Sequence, residues 1–523
     1  MTQRAAVVGS GPNGLTAACE LARAGWQVSV YESAPRPGGA ARSEELFGPG
    51  LISDLGASIH PLSQASPAYE SLLAAGDVDW VHPRIPAAHG LDGEAPALLH
   101  SSLEQTAEGL GRDGDLWRWT VGPLVRNWDE VRRAVLTPPS RPFSGEGSNL
   151  ARAAALMQIG SVGAMPAKTL MRSFRTEGAR ALLAGLAAHT TAPLSYPLTA
   201  AVGLAFGAAA HAQGWPAVRG GTQKLVDALV NTLTRHGGEV HTGFHVRGVH
   251  DEPMPPGRRD ARKGGPRRGW RIQGTDLHAG DNETVRSGPQ QSASDLADVV
   301  LLDLPPEQLL DFEGLRFGPR ARRALRRWDY GPGVVKIDYL LKGPIPWLHS
   351  ELADAGTVHL GGSGAQVAAS EAAANRGVLP GRPYVLVAQP SAADPTRTPD
   401  ERTVCWAYAH VPNGLDASGA ARTVRLIEEE LSRQAPGFSE SVLDSRVWGP
   451  AELQDWNPNL IGGSVSGGVA SLRQTFAGPL SAVRPYSTGV AGVYLCSSAT
   501  PPGGGAHGMN GYHAAQAVLR ERR

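Results

Sequence analysis

Cysteine is scarce in this chain of 523 residues: there are three, Cys19, Cys405 and Cys496, far apart and in no CxxC pattern. Neither a disulfide framework nor a zinc knuckle is expected, and a reducing, cytoplasmic setting fits. Excess charge of either sign is also missing. Lys and Arg number 49 and Asp and Glu number 49, for a formal net charge of zero, so the whole chain carries no electrostatic footprint for nucleic acid or an anionic membrane. An apolar run of about 20 residues, the length that crosses a bilayer, does not occur. The nearest approach lies between Arg180 and Arg219, where no charged residue stands. It is broken by His189, Thr190, Thr191, Pro193 and Pro197 and reads as buried helices joined by a Pro-rich turn. No transmembrane segment is expected, while peripheral membrane contact stays open. The opening residues leave no room for a charged and then an apolar leader, so no signal peptide is expected. No HExxH occurs, and His241 and His245 fall in a predicted strand region, so no metal site is expected.

Glycine and proline, by contrast, are abundant. With Gly 65 and Pro 41 they make up about a fifth of the chain, above the usual share of about 12 %, which favours turns and close backbone approaches over long rods. The length implies two or three domains. The strongest local signal comes first. Arg4 to Gly9 reads as a buried strand, Gly9-Ser-Gly11-Pro12-Asn13-Gly14 as a tight turn into a helix that runs on to Gly25, and Gln27 to Tyr31 as a second strand ending in Glu32. Each part has a physical reason: Gly9 permits the turn, Gly11 lets the backbone approach a pyrophosphate, and Gly14 allows close contact between helix and strand. The helix N-terminus offers unpaired amides to phosphates, and the Glu32 carboxylate can accept from ribose hydroxyls. An acid at that strand end disfavours a 2′-phosphate, leaving FAD or NAD. The following Ser33-Ala-Pro-Arg36-Pro-Gly38-Gly39-Ala40-Ala-Arg42 places a second glycine pair and two arginines where the far end of a dinucleotide would lie. That favours FAD.

These residues, continued through Phe47 to Gly56, resemble the phytoene desaturase-type FAD oxidoreductases within the flavin amine oxidase superfamily. Two further blocks carry the resemblance: Gly214 to Val246, and the C-terminal run from Gly492 through Ser498, Gly503-Gly504-Gly505 and Gly508-Met509-Asn510 to Ala515. The resemblance implies an α/β fold, with a Rossmann-like, glutathione-reductase-like FAD-binding domain and an interleaved α+β substrate domain. FAD would be held non-covalently. The cofactor domain is expected at 1–75, 215–305 and 480–523, and the substrate domain, with a helical lid, at 76–214 and 306–479. Backbone atoms of Val246 would meet the adenine. The C-terminal helix, starting near Met509 and Asn510, would aim backbone amides at a flavin carbonyl, where they favour negative charge.

Candidate chemistry is sparser. Alternation in the strand around Lys336 sets Lys336 and Asp338 on one face and Val335, Ile337 and Tyr339 on the other. The strand is similar to one in amine oxidases whose lysine holds a water at flavin N5, which implies that role for Lys336; the residues alone also allow a solvent-facing lysine paired with Asp338. His60 follows a glycine stretch that approaches the flavin and is a candidate base or hydrogen-bond donor. A structural role is the default for it and for His189, His211, His410, His507 and His513. Asn459 to Gly468 is expected to border the flavin, and Pro390 to Pro395 with Trp406 to Pro412 to form a sheet lining an apolar substrate space. A basic, Pro/Gly-rich run from Pro253 to Arg268 reads as a solvated hairpin tip. Gly362-Ser-Gly364 lacks the third glycine of a second dinucleotide motif. The flavin is therefore expected to take electrons from the substrate itself and pass them to oxygen or a quinone. Three readings follow: an FAD-dependent dehydrogenase or desaturase acting on an apolar or cyclic molecule, an amine oxidase producing imine and peroxide, and a flavin-binding interaction protein without turnover. Substrate identity and oligomeric state stay open.

Overall fold

A computed structural model describes residues 2–138, 160, 162–254, 268–277 and 296–522. Short runs of small and β-branched residues build a five-stranded parallel sheet, in the order Val493–Leu495, Val299–Leu302, Arg4–Val8, Gln27–Tyr31 and Glu239–His241. Its central strands are apolar on both faces, as a parallel sheet covered on both sides requires. Ala5, Val7, Val28, Val30, Val299 and Leu301 pack on one side against helices Pro12–Arg23, Gln223–Arg235 and Met509–Arg522. Ala6, Val8, Val300 and Leu302 face the other way, onto the antiparallel hairpin Phe244–Pro253 and Arg268–Asp276. Trp270 lies in the second strand of that hairpin. Of the basic run, residues 255–267 lie outside the described residues.

The second sheet has seven strands, in the order Val442–Trp448, Gly333–Leu341, Thr403–Val411, Val385–Ala388, Ala355–Leu360, Ile85–His89 and Ala97–Leu99. All neighbouring pairs are antiparallel except Ala355–Leu360 with Ile85–His89. Helix Ala417–Gln434 covers one face, sharing a core with Val335, Ile337 and Tyr339. Helices Gly114–Arg126, Glu177–Ala188, Thr199–Ala212 and Gly364–Asn375 cover the other. The charge-free stretch thus becomes two buried helices, with Pro193 and Pro197 in the turn between them. A side chain at Gly203 would put its Cβ 3.0 Å from Leu183 Cδ1, so the glycine lets the pair close up.

One expectation fails here. Residues 390–395 are not part of the sheet: Pro390–Ala392 and Pro395–Arg397 form 3-10 turns after strand Val385–Ala388. Prolines without an N–H cannot continue the ladder. Among the described residues, no helix is long and apolar enough to cross a membrane.

Candidate active site

A continuous cavity of about 1280 Å³ runs from the first turn of the parallel sheet to the face of the seven-stranded sheet. At one end it is walled by Gly9, Gly11, Pro12, Asn13, Glu32, Ser33, Gly39, Ala40, Arg42 and Val246, and further along by Ser498 and Gly505. The glycines are sterically required there. A Cβ on Gly11 would fall 2.9 Å from Asp303 Oδ2, and one on Gly14 would fall 2.1 Å from the carbonyl oxygen of Gly9. Helix Pro12–Arg23 has proline in its first turn and no side-chain cap; Pro12 has no N–H and the Gly14 amide is held by Asp303, so the Asn13 amide is the first-turn donor left for a ligand.

Glu32 is fixed from within. Its Oε2 accepts from the Ser10 amide at 2.9 Å and the Ser10 hydroxyl at 2.7 Å, and its Oε1 from the Ala34 amide at 2.8 Å. Arg42 donates to the carbonyls of Gly39 and Trp456, and its guanidinium lies 4.6 Å from the Trp456 ring centroid. Among the described residues around the cavity, Asn13 Oδ1, Arg247 Nε, Trp406 Nε1, Trp456 Nε1 and Ser497 Oγ are buried without a described partner. Buried polar atoms seldom stay unsatisfied, and a nucleotide-sized polar ligand would answer them. The residues present fit a dinucleotide.

Gly14, Gly38, Gly508, Met509 and Asn510 do not line the cavity. They stand behind it. The Met509 amide, expected to point at a flavin carbonyl, donates to His507 Nδ1 at 3.1 Å, and the Met509 side chain packs with Ala68 and Leu136. Asn510 Nδ2 donates to the Thr500 carbonyl at 2.6 Å and to that of Gly503, knitting the glycine-rich turn. Gly38, at φ 132°, donates to the Ser10 carbonyl.

In the middle of the cavity the buried Lys336 gives its ammonium to both oxygens of Asp338 at 2.6 Å and to the Asp54 carbonyl at 3.3 Å. An ammonium has three donors, and these partners take them. The expected pairing with Asp338 is present, but inside the protein, not in solvent. Burial pulls the Lys336 ammonium below its usual range, against the pull of Asp338. Behind it, Asp54 accepts from Ser43, Ser58, the Thr222 amide and Arg397. Burial works to raise the Asp54 carboxyl, yet Arg397 and these hydrogen bonds outweigh it and hold it below the usual value.

His60 also reaches the cavity, but both its ring nitrogens are taken. Nδ1 bonds Ser63 Oγ at 3.1 Å and Nε2 bonds Thr222 Oγ1 at 2.8 Å, and those hydroxyls also contact the Ala506 and Ala57 carbonyls. Burial pushes the imidazole down to about 4. With no free nitrogen it is a brace between three segments and not the base the sequence suggested.

The far end is aromatic. Phe206, Trp215, Trp406 and Tyr408 wall it together with Ile59, Ala205, Thr357, Leu386 and Ala388. Trp406 and Tyr408 stack with ring centroids 5.5 Å apart at 11°. His189 adds a polar edge, its Nε2 lying 3.1 Å from His359 Nε2. Among the described residues, the carboxylates lining the cavity are Glu32, Asp303, Asp311, Glu313 and Asp455, and none of these adjoins Trp406, Tyr408, Phe206 or Trp215 in the chain. Of the Asn459 to Gly468 loop, Asn459, Leu460 and Val465 to Gly468 line the cavity.

Sequence reasoning missed Asp303, whose Oδ2 accepts the Gly14 amide at 3.0 Å, together with Ser10, Thr222, Trp456 and Arg397. Asp303 was legible as the end of a strand, the position where α/β sheets bind ligands. Ser10 lies inside the glycine motif itself and acts on Glu32, 22 residues on; Thr222, Trp456 and Arg397 act through contacts distant in sequence.

Fold and site together define a dinucleotide-binding protein. Residues 7–75 match the model of the NAD(P)-binding Rossmann-like domain. Over 576 aligned residues, the chain is 26% identical to rat pyridine nucleotide-disulfide oxidoreductase domain-containing protein 2, covering 99% of this chain and 93% of that one. Its fold is similar to that of an oxidoreductase from Methanosarcina mazei, with TM-score 0.60 and 14% identity over 99% of this chain and all of that one. It is also similar to wild-type putrescine oxidase bound to putrescine, with TM-score 0.57 and 14% identity over 100% and 99% of the two chains. Along its length the chain is thus similar to proteins named as oxidoreductases. Its cysteines Cys19, Cys405 and Cys496 are each buried and free.

Proposed function

We propose that this protein is an FAD-dependent dehydrogenase or desaturase that oxidises a neutral, apolar or cyclic small molecule. The observation that carries this reading is the single cavity joining the glycine turn to an aromatic chamber with no carboxylate among its described lining residues. When bound, the flavin supplies hydride acceptance. The chain's own part is to bind, orient and exclude water. The turn at Gly9 to Asn13 would take the phosphates, Glu32 the ribose, and Val246 the adenine side, so that residues 1–75, 215–305 and 480–523 serve the cofactor. The stacked Trp406 and Tyr408, with Phe206 and Trp215 across from them, would hold a flat or cyclic substrate by burial of its faces. A protonated amine would find no counter-charge in that chamber, and burying an unpaired cation is costly, so the amine oxidase reading ranks second. Electrons would leave to oxygen or a quinone.

Lys336 would act on the reduced state by setting the potential at the cavity wall. The test is anaerobic mixing with a panel of neutral cyclic compounds and amines, followed by admission of oxygen, with the Lys336→Met/Asp338→Leu double variant beside the natural protein. The double change avoids leaving a buried carboxylate unpaired, which costs about 3–5 kcal/mol. The expected result is bleaching by neutral cyclic compounds in both proteins, with reoxidation slowed about tenfold or more in the variant, or roughly 1.4 kcal/mol of barrier. Bleaching by amines alone would overturn the substrate class. Unchanged reduction and reoxidation would remove Lys336 from the mechanism.

A further inference from the structure

The chain's zero net charge conceals a strongly uneven surface. Between Arg316 and Arg327 stand six arginines, Arg316, Arg320, Arg322, Arg323, Arg326 and Arg327, and no acid. Helix Pro319–Arg326 carries four of them, and among the described residues no side chain of the six has an ion-pair or side-chain hydrogen-bond partner, in contrast to Arg132, Arg382 and Arg397. All except Arg322, which is half-buried, are exposed. The acids just upstream, Asp311 and Glu313, lie along the cavity.

Beside this basic helix lies an apolar one. Leu472 and Phe476 on helix Leu472–Ala477 are 49% and 45% exposed, and Val465 and Val483 to either side are 44% and 74% exposed. The two helices are tied together: Arg473 donates to the Arg327 carbonyl at 3.2 Å, and Gln474 bonds both the amide and the carbonyl of Asp329. No Asp or Glu occurs from Trp456 to Arg520, so the apolar surface has no anionic residue of its own segment near it. The patch borders an opening of the cavity, because the exposed Val465, the half-buried Thr475 and the adjoining Trp328 all line it.

We propose that this face docks on an anionic lipid bilayer, with Leu472 and Phe476 dipping into the acyl boundary and the arginine helix on the headgroups. Unpaired arginines alone would suit any polyanion. The exposed Leu and Phe beside them favour a surface that is charged outside and apolar beneath, the combination interfacial helices use. An acidic protein or nucleic acid offers the charge without a matching apolar layer. The placement would let an apolar molecule pass between lipid and cavity without crossing water. The proposal stands on the patch and does not depend on the reaction assigned above.

The test is co-sedimentation of the full-length protein with phosphatidylcholine vesicles, with and without about 30 mol % phosphatidylglycerol, at low and high salt. Binding is expected only with the anionic lipid and is expected to weaken with salt. Arg320→Gln/Arg323→Gln/Arg326→Gln should lower partitioning on the order of a hundredfold. Leu472→Ser/Phe476→Ser should also release the protein, and both variants should keep the unfolding midpoint and dinucleotide affinity of the parent. Because the natural cysteines are buried, Leu472→Cys can be labelled alone with an environment-sensitive dye, whose emission should shift to the blue on anionic vesicles. Equal sedimentation with and without phosphatidylglycerol, or undiminished binding by the arginine variant, would overturn the proposal. Anionic binding with no dye shift would also overturn it and would point to a soluble polyanion as the occupant.

Discussion

Asp303 closes the strand Val299–Leu302 and faces the turn that would hold phosphates. Its carboxyl is 6% exposed, and burial, with Glu32 nearby, pushes it up to about 7 against the single donated bond from Gly14. The folded protein therefore keeps a proton that the unfolded chain releases near pH 4, so this group's contribution to stability falls as pH rises from about 4 to 7. The same ionisation puts a negative charge beside the phosphate end of the cavity. Dinucleotide affinity is expected to drop as pH rises through 7, and Asp303→Asn to abolish most of that pH dependence; titrations at pH 6 and 8 check it, and equal slopes in both proteins would refute it. The glycine turn and Glu32 were legible from spacing alone, since their partners lie within a few dozen residues. The roles of His60 and Met509 were not, because Thr222, Ser63 and His507 decide where their nitrogens and amide point.

At the scale of elements, the crossing of the first and last helices holds the dinucleotide turn in place. A Cβ on Gly511 would fall 1.8 Å from the Asn13 carbonyl oxygen, and one on Gly508 would fall 2.3 Å from Thr16 Oγ1. Gly511→Ala must push the helices apart where Asn13 meets the cavity. Overpacking costs about 1–3 kcal/mol and more when backbone is struck, so a lower denaturant midpoint and weaker dinucleotide binding are expected together; loss of stability with unchanged binding would separate the two. The elements of the parallel sheet could be read from local patterns. The seven-stranded sheet was only partly legible: the faces of Lys336 and Ile337 followed from alternation, whereas its strand order pairs Ile85 with Ala355, 270 residues on, and prolines removed residues 390–395 from it.

Across the whole molecule, burial dominates the ionisable groups. His60, His89, His211 and His507 are each pushed down to about 4, His189 to about 3, and His359 well below its usual value, all chiefly by loss of water. In each case the unfolded chain binds the proton first, so stability is full above about pH 6.5 and is lost as pH falls toward 4. Asp303 acts in the opposite sense, as do Glu20, Asp338 and Glu428, whose carboxyls burial also raises. Thermal unfolding between pH 7 and 4 is expected to show a steep fall in midpoint; a flat profile would contradict the buried, neutral state of these imidazoles. The zero net charge read from composition was correct as a sum and blind to its distribution.

The proposal that the elongated cavity between the two chain ends holds FAD without a covalent bond is tested most directly by the absorption spectrum of the purified, flavin-supplemented protein after gel filtration, followed by heat release and chromatography of the freed cofactor. A flavin spectrum, about one FAD per chain and full release on denaturation are expected. A folded protein that stays colourless with FAD in excess, or that retains only NAD, would contradict it.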